Sequence, residues 1–425
     1  MVRLSGPKAH AIAAAVFRPA TPGGQQGDRR YIMGKVSLGT DAADLATCVT
    51  FSAPASFTGE DAAEITVHGS PWVVAHLVER AVANGARPAR PGEFTYRAFC
   101  HGKLDLTRAE ALDALISASS PEAAREAARQ AAGSVERAAE ALRQHLLDSL
   151  AELEAAIDFH DDSVGQRRID ETLERALTEA ERWRSSAARS RPLVDGFRIA
   201  INGPPNAGKS SLFNYLLGDE RAIVTTEPGT TRDVLEGHLL LEGLALTLLD
   251  TAGERDAESA AEAEGVRRSA RARELADLVL EVRDVTAPRA AVGPQPDGSR
   301  PTLRVYTKTD LLEARSPEDR SAAGTHLVSV MTGEGMPDLL SDLGERAMAG
   351  TRVDGPAIMI PRQRHVAELL HRHVEEALRD RRLGRPEEYV AQSLRMALER
   401  LAELVGRSDL EDVYQRIFQR FCVGK

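Results

Sequence analysis

Residues Gly203-Pro204-Pro205-Asn206-Ala207-Gly208-Lys209-Ser210-Ser211 read G-x-x-x-x-G-K-S, and no other stretch restricts the fold as strongly. Phe197-Arg198-Ile199-Ala200-Ile201 before it is strand-like, and Leu212-Phe213-Asn214-Tyr215-Leu216-Leu217 after it starts a helix that ends near Gly218. A strand, a tight loop and a helix N-terminus together aim backbone N–H groups at an anion. Gly203 and Gly208 allow the turn and the close approach of a phosphate. Lys209 can reach the β- and γ-phosphates, and the Ser210 hydroxyl can hold Mg²⁺. A chance match in a loop is the bland alternative, and the flanking strand and helix argue against it.

Downstream residues specify the base. Asp250-Thr251-Ala252-Gly253 follows the apolar run Leu244 to Leu249. An Asp ending a buried strand can join the Mg²⁺ shell, and Gly253 can give its N–H to a γ-phosphate. Between the motifs lies Gly229-Thr230-Thr231-Arg232-Asp233, where a Thr can ligate Mg²⁺ while the γ-phosphate is present and so act as a switch. Thr307-Lys308-Thr309-Asp310 follows the strand Leu303 to Tyr306, and Ser329 ends another, Thr325 to Val328. The Asp310 carboxylate can accept from the ring N–H and amino group of guanine, which adenine cannot match. In this order the pieces resemble a small Ras-like GTP-binding domain. Thr307 stands where that pattern has an Asn that bonds purine N7, which predicts a lower guanine affinity with discrimination kept by Asp310.

A chain of 425 residues is too long for one compact core, so two or three domains are expected. The apolar fraction of 42% is ordinary for a soluble protein, and abundant alanine favours helices. A net charge of −10 argues against a broad basic nucleic-acid surface while leaving room for a local patch. Cys48, Cys100 and Cys422 lie far apart and match no metal spacing, which suits a reducing, cytoplasmic setting. No apolar run reaches membrane-spanning length, and the start at Met1-Val2-Arg3 is domain-like rather than a signal peptide.

Taken in order, residues 1–103 are mixed α/β. Strands are expected at 31–36, 46–51 and 63–67, and a helix at 71–84. Ser56 to Asp61, His68 to Ser70 and Arg90 to Thr95 are Gly-rich and polar, for which turn chemistry is the plain account. From Leu104 the pattern is helical. Leu142, Leu146, Leu150, Leu153 and Ile157 recur at helical steps, and a second helix is expected over 169–188, ending before Pro192. His160 among Asp158, Asp161 and Asp162 has the residue types of a metal site, with a solvated turn as the simpler reading. Helices return from Arg362, with stripes at Leu394, Leu398, Leu401 and Val405 and at Val413, Ile417, Phe418 and Phe421. Helices on both sides of 196–349 imply a nucleotide-binding domain inserted into a helical one.

The chain ends Phe421-Cys422-Val423-Gly424-Lys425. Together with Gly203 to Ser211, Gly229 to Asp233, Ser56 to Asp61, Pro91 to Thr95, Gly102 to Leu106 and Ala155 to Phe159, this tail resembles the tRNA-modification GTPases called MnmE or TrmE, almost end to end. The resemblance implies a multidomain α/β plus α fold. Residues 1–103 would be a tetrahydrofolate-binding and dimerising domain, and 104–195 with 350–425 a helical domain. An inserted Ras-like P-loop GTPase domain would fill 196–349. It implies a homodimer that joins an FAD-dependent MnmG (GidA) partner as a heterotetramer. Together they would modify carbon 5 of the wobble uridine of tRNA with an aminomethyl or carboxymethylaminomethyl group. The one-carbon unit would come from 5-formyl- or 5,10-methylene-tetrahydrofolate.

Family roles carry onto matching positions. The GTP set becomes Asn206, Ala207, Gly208, Lys209, Ser210, Ser211, Thr225, Thr230, Thr231, Asp250, Thr251, Ala252, Gly253, Thr307, Lys308, Asp310 and Ser329. Ser210 and Thr231 match the Mg²⁺ ligands. Asn206, Thr225, Glu227 and Thr230 match a K⁺ site, where a cation offsets charge developing on the β–γ oxygens. Glu262 matches the water-positioning carboxylate, acting through a bridging water, and Glu254, directly after Gly253, is its rival. Arg3, Glu64, Lys103 and Lys425 map to the folate site. Arg3 and the lysines are suited to the ligand's carboxylates, and Glu64 to the pterin's N–H groups. Cys422 is either a reactive thiol near that site or a small buried anchor of the tail. The family has a first strand and a Gly/Pro-rich loop before the Arg3-Leu4-Ser5-Gly6 segment, so a start at Met1 would leave a sheet edge unpaired and weaken folate binding or dimerisation. Against the modification enzyme stands a GTP-switched assembly factor, such as one for ribosomes, which needs no folate site.

Overall fold

The computed structural model describes residues 1–21, 28–39, 42–159, 166–221, 235–250, 271–287, 300–312, 324–351 and 357–407. The chain divides into two compact units, one of Met1–Asp113, Gln130–Thr172 and Arg379–Lys425, the other of Ala114–Arg129 and Leu173–Leu378.

In the first unit, strands β1 (Val2–Ser5), β2 (Phe17–Pro19), β3 (Ile32–Ser37), β4 (Ala43–Phe51) and β5 (Ala62–Thr66) form one antiparallel sheet. Its order is β1-β5-β4-β3-β2. Along β3 the side chains alternate, with Gly34 and Val36 buried and Met33 and Lys35 exposed, so one face of the sheet is covered and the other is wet. Helices α1 (Ala9–Val16) and α2 (Pro71–Ala83) supply Ile12, Val16, Val73 and Leu77 to a core shared with Leu4, Phe17 and Ile65. The three expected strands and the expected helix are present with shifted ends. The short edge strands β1 and β2 and helix α1 were not expected, because three- and four-residue strands are too short to show alternation.

Helix α3 (Glu93–Cys100) follows Gly92, and α4 (Leu106–Ile116) starts beside Asp105. The Asp105 Oδ1 accepts from the Thr107 and Arg108 N–H groups at 2.7 and 3.1 Å, filling two donors that a helix start leaves open. Helix α5 (Pro121–Ala131) is capped by Ser120 with Pro121 at its first position. Helix α6 (Ser134–Phe159) buries Leu142, Leu146, Ser149 and Leu153. Ser149 takes the inward place expected for Leu150, which is half-buried, and its hydroxyl donates to the His145 carbonyl at 2.9 Å. That bond is what lets a polar side chain sit on the buried stripe.

Helix α7 (Gln166–Asp195) differs from expectation, since it runs through Pro192. Pro192 has no N–H for the carbonyl one turn back, and such a break costs a helix about 3 kcal/mol. The last turn is fixed by other contacts. Leu193 is buried in the core of the second unit, Arg191 pairs with Asp277, and Asp277 accepts the Arg198 N–H at 2.9 Å.

The second unit is built on a six-stranded sheet of order β11-β10-β9-β6-β8-β7. Its strands are β6 (Phe197–Asn202), β7 (Leu235–Leu241), β8 (Leu244–Asp250), β9 (Leu278–Asp284), β10 (Thr302–Thr307) and β11 (Thr325–Leu327). All neighbours are parallel except the hairpin β7–β8, which turns through Glu242 and Gly243 at φ 53° and 84°, the left-handed pair that a two-residue hairpin turn requires. Central β6 is apolar on both faces, as parallel strands between helices are. Helix α8 (Lys209–Arg221) breaks at Gly218, as expected, where φ is 26° and ψ 142°. Further on come α9 (Met336–Thr351), α10 (Pro361–Arg382) and, in the first unit, α11 (Glu387–Val405). Leu394 and Leu401 of α11 are buried as expected, with Ala397 between them and Leu398 at the margin. Positions 413, 417, 418 and 421 of the second stripe, and His160 with its acidic neighbours, lie outside the described residues or their described side chains.

Ile65 on β5 is fully buried in the first core, so Ile65→Ala should lower the stability of that unit by about 2–5 kcal/mol. Urea unfolding followed by a probe in the N-terminal sheet checks this; an unchanged midpoint would mean that the sheet's core does not depend on β5.

Candidate functional site

The loop Gly203 to Gly208 leaves the carboxyl end of β6 between β9 and β8, the place where open α/β sheets bind ligands. Its shape is forced by backbone contacts. Gly203 has φ 155°, and a Cβ there would lie 2.1 Å from the Val282 carbonyl oxygen of β9. Gly208 has φ 86°, and Asn206 holds φ 63° without being glycine. Helix α8 begins at Lys209 with no acidic residue in its first turn, so its open N–H groups and positive dipole end face the loop unopposed. The Lys209 ammonium donates to the carbonyls of Gly203 and Pro204, each at 2.9 Å, which places it across the mouth of the loop. Ser210 and Ser211 are exposed on the first turn, and Ala207 is buried. This arrangement can bind a polyphosphate through backbone N–H groups and one lysine.

The base-reading residues lie at the ends of β10 and β11 in the same sheet. Asp310 is exposed, and its Oδ1 accepts from the buried Ser329 hydroxyl at 2.6 Å. Ser329 thereby fixes the carboxylate while leaving Oδ2 and a lone pair of Oδ1 for a ligand's paired N–H groups. Lys308 is held at φ 62°, and its ammonium meets Asp284 Oδ2 at 2.6 Å. Burial raises the Asp284 pKa, but hydrogen bonds from Lys308 and from the Thr286 hydroxyl and N–H outweigh it and hold the carboxyl below its ordinary value. Asp284 was missed from sequence, although it ends β9 much as Asp250 ends β8. Thr307 is almost fully buried, and its hydroxyl lies 2.6 Å from the Ala207 carbonyl and 3.2 Å from that of Arg283.

Asp250 closes β8, opposite Ile201 of β6 and Leu235 of β7, with its side chain outside the described part. Thr225, Glu227, Thr230, Thr231, Thr251, Ala252, Gly253, Glu254, Glu262, Cys422 and Lys425 all lie outside the described residues. Among the described residues no group of three or more His, Cys, Asp or Glu is placed to hold a metal ion. The phosphate loop offers a cation the oxygens of the Ser210 hydroxyl and the Asn206 amide, both on exposed residues. Those are hard oxygen donors of the kind Mg²⁺ and K⁺ take, and the residues present fit both ions.

A second polar cluster is built in the first unit. Arg3 on β1 lies opposite Glu64 on β5, and its Nε and Nη2 reach Glu64 Oε1 at 2.8 and 2.7 Å. The Phe57 and Phe94 rings have their centroids 5.5 and 5.6 Å from the same guanidinium, so cation–π attraction adds to the ion pair. The Ser56–Asp61 loop is more than a turn. Thr58 is buried against the Ser5 hydroxyl at 2.6 Å, and Glu60 accepts from Ser5 and from Arg97, each at 2.8 Å. Lys103 crosses this loop, its Cε 3.5 Å from where a Gly59 Cβ would stand. Arg3 and Glu64 are thus paired, and Lys103 borders the loop that carries Phe57 to Arg3. With both bonds on Oε1, the Glu64 Oε2 keeps its acceptor capacity, and two aromatic rings lie against the Arg3 it pairs with, which fits a flat heterocycle with an N–H edge. Glu93 anchors the cluster from the side. Its pKa is lowered to about 2, chiefly by the hydrogen-bonded Arg87, against burial and with help from the Arg90 N–H and Arg97.

A cavity of about 520 Å³ lies elsewhere, between α7 and α10, lined by Leu177, Arg182, Ser185, Arg189 and His371 among others. His371 there pairs with Glu181 at 2.8 Å. None of the sequence-derived site residues lines it, and chemistry places the site at the phosphate loop rather than here. No described helix is long and apolar enough to cross a membrane.

Comparison with known proteins covers the whole chain. Residues 1–103 match the model of the GTP-binding protein TrmE N-terminus, and 106–422 match the MnmE helical domain. A tRNA modification GTPase MnmE of Thermus thermophilus is 43% identical over 100% of this chain and 95% of its own length. Its namesake from Xanthomonas campestris pv. campestris is 42% identical over the same shares. Among solved structures, the G domain of the T. maritima FeoB iron transporter is 24% identical, with a TM-score of 0.26, over 37% of this chain and 99% of its own.

Two outcomes follow from the geometry. Gly203→Ala should lower affinity for guanine nucleotides by about tenfold or more, since the added methyl must displace the β9 backbone; calorimetry with GDP checks it, and unchanged binding would show that the loop is not the phosphate cradle. Glu93 has a folded pKa below its unfolded value near 4.5, so its stabilising contribution is present above about pH 4.5 and is lost as pH falls toward 2. Acid unfolding of wild type and Glu93→Gln should therefore differ above that window and converge within it; parallel curves throughout would remove the assignment.

Proposed function

The chain belongs to the MnmE family of tRNA modification GTPases, and from that membership we propose that it is a GTP-hydrolysing enzyme of tRNA wobble-uridine modification. Correspondence along the entire chain, covering both a phosphate-loop domain and the N-terminal cluster, is the observation that carries this reading. An assembly factor without one-carbon chemistry would have no use for the Arg3, Glu64 and Lys103 cluster.

In this reading residues 1–103 bind the folate, 196–349 form the GTPase domain, and 104–195 with 350–425 form the helical domain that carries it. Lys209 and the first N–H groups of α8 hold the β- and γ-phosphates, and Asp310, fixed by Ser329, reads guanine. Ser210 with Thr231 would hold Mg²⁺, and Asn206 with Thr225, Glu227 and Thr230 would hold K⁺. Bound, these ions supply positive charge where negative charge builds up on the phosphate oxygens. Asp250, Thr251, Ala252 and Gly253 line the γ-phosphate side. Glu262 orients the attacking water through a second water, with Glu254 as the rival carboxylate. Glu64 takes the N–H edge of a tetrahydrofolate, and Lys103 and Lys425 take its carboxylates. Arg3, whose Nε and Nη2 are committed to Glu64, orients that carboxylate. The folate supplies the one-carbon unit when bound. The protein acts in the cytoplasm as a homodimer, joined by an FAD-dependent MnmG-type subunit in a heterotetramer, on tRNA.

The test couples three assays on the full chain. GTP turnover should be much faster in K⁺ than in Na⁺, and Glu262→Ala should keep GTP binding while losing most turnover. Equal rates in both salts would remove the K⁺ site, and an active Glu262→Ala would move the role to Glu254. Calorimetry with 5-formyl-tetrahydrofolate should give saturable binding that is lost when Lys425 is deleted; no binding by the intact chain would leave a GTPase without folate chemistry.

A further inference from the structure

Thr307 stands at a position of the nucleotide site where the chain departs from the Ras-like pattern, and its surroundings decide what that departure does. The side chain is 1% exposed. Its hydroxyl carries one hydrogen, and both polar neighbours, the carbonyls of Ala207 at 2.6 Å and Arg283 at 3.2 Å, are acceptors only. Whichever carbonyl receives it, that hydrogen is spent inside the protein. Ala207 belongs to the phosphate loop, and Arg283 to β9. A Cβ on Gly208 would stand 3.2 Å from the same Thr307 oxygen, so the loop is packed directly on this residue. Purine N7 is an acceptor and needs a donor, and the Thr307 hydroxyl has none left to offer.

We infer that Thr307 is a tether between the base-reading strand and the phosphate loop, and that this chain selects guanine without a side-chain donor to N7 from position 307. Selectivity then rests on Asp310, whose carboxylate is fixed by Ser329 and addresses N1–H and the 2-amino group. The tether bonds the carbonyl of Ala207, two residues before Lys209, so β10 supports the phosphate cradle even where it does not touch N7. The inference rests on the chain being a guanine-nucleotide enzyme.

The experiment is calorimetry on the full chain with Mg²⁺ and three diphosphates: GDP, 7-deaza-GDP, which replaces N7 by C–H, and IDP, which lacks the 2-amino group. The expected result is 7-deaza-GDP binding within about twofold of GDP, and IDP weaker by about tenfold or more, the usual cost of a lost bond to a charged group. Binding of 7-deaza-GDP weaker than GDP by about tenfold would overturn the inference while leaving the GTPase reading intact, and failure of GDP itself to bind would sink both. The tether is tested separately. Thr307→Val should weaken GDP and 7-deaza-GDP by the same factor, and Thr307→Ser should restore both. A loss confined to GDP in Thr307→Val would mean that the hydroxyl acts on the base, and would overturn the tether. Should Thr307→Val fail to fold, the wild-type comparison of GDP with 7-deaza-GDP still decides the matter.

Discussion

The close approach of the Gly203 backbone to the Val282 carbonyl is the constraint on which the nucleotide site depends. It seats the start of the phosphate loop against β9, and Thr307 grips the other end of the loop through Ala207. Between these two holds the loop has little freedom, so the N–H groups of α8 and the Lys209 ammonium are aimed before any ligand arrives. Preorganisation of this kind lowers the ordering cost of binding. It also explains why the strand core matters to the site. Ile199, Ile201, Leu280 and Val282 are fully or almost fully buried, and they fix the spacing of β6 and β9 that the Gly203 contact requires.

The N-terminal cluster works by a different principle. There the backbone is ordinary antiparallel sheet, and side chains do the organising. Arg3 is tied to Glu64 across a strand pair and covered by two aromatic rings, while Glu60, Arg97, Glu93 and Arg87 form a chain of ion pairs beside it. Isolated surface pairs contribute little, but this network is partly buried and linked to Ser5 and Thr58. Its function is to hold the Ser56–Asp61 loop and α3 in register with β1. A site built on linked side chains is sensitive to acid in a way that a backbone cradle is not.

How much of this was legible in the sequence depends on the physics of each part. The phosphate loop was readable because glycine spacing, an adjoining strand and a helix start each have a local signature. The three longer N-terminal strands and the hydrophobic stripe of α6 followed from residue pattern, and the break at Gly218 from the glycine itself. Strands β1 and β2 were hidden, since three or four residues cannot display alternation and are held by sheet pairing. Pro192 misled because the cost of a proline inside a helix is local, whereas the burial of Leu193 and the Arg191–Asp277 pair that offset it are not. Ser149 displaced Leu150 from the buried stripe because a hydroxyl bonded to its own helix is nearly as easy to bury as a methyl.

Thr307 shows the limit of motif reading most clearly. By pattern it is a defect, the absence of an N7 donor. By structure it is a short buried bond to the phosphate loop, backed by the packing of Gly208. A threonine puts its hydroxyl close to its own strand, where it can reach the loop carbonyl but not a base beyond it. The same atom that gives up base recognition thus stiffens the phosphate cradle. Affinity then shifts from the base toward the phosphates, while the choice of guanine stays with a carboxylate that the Ser329 hydroxyl has already fixed in place.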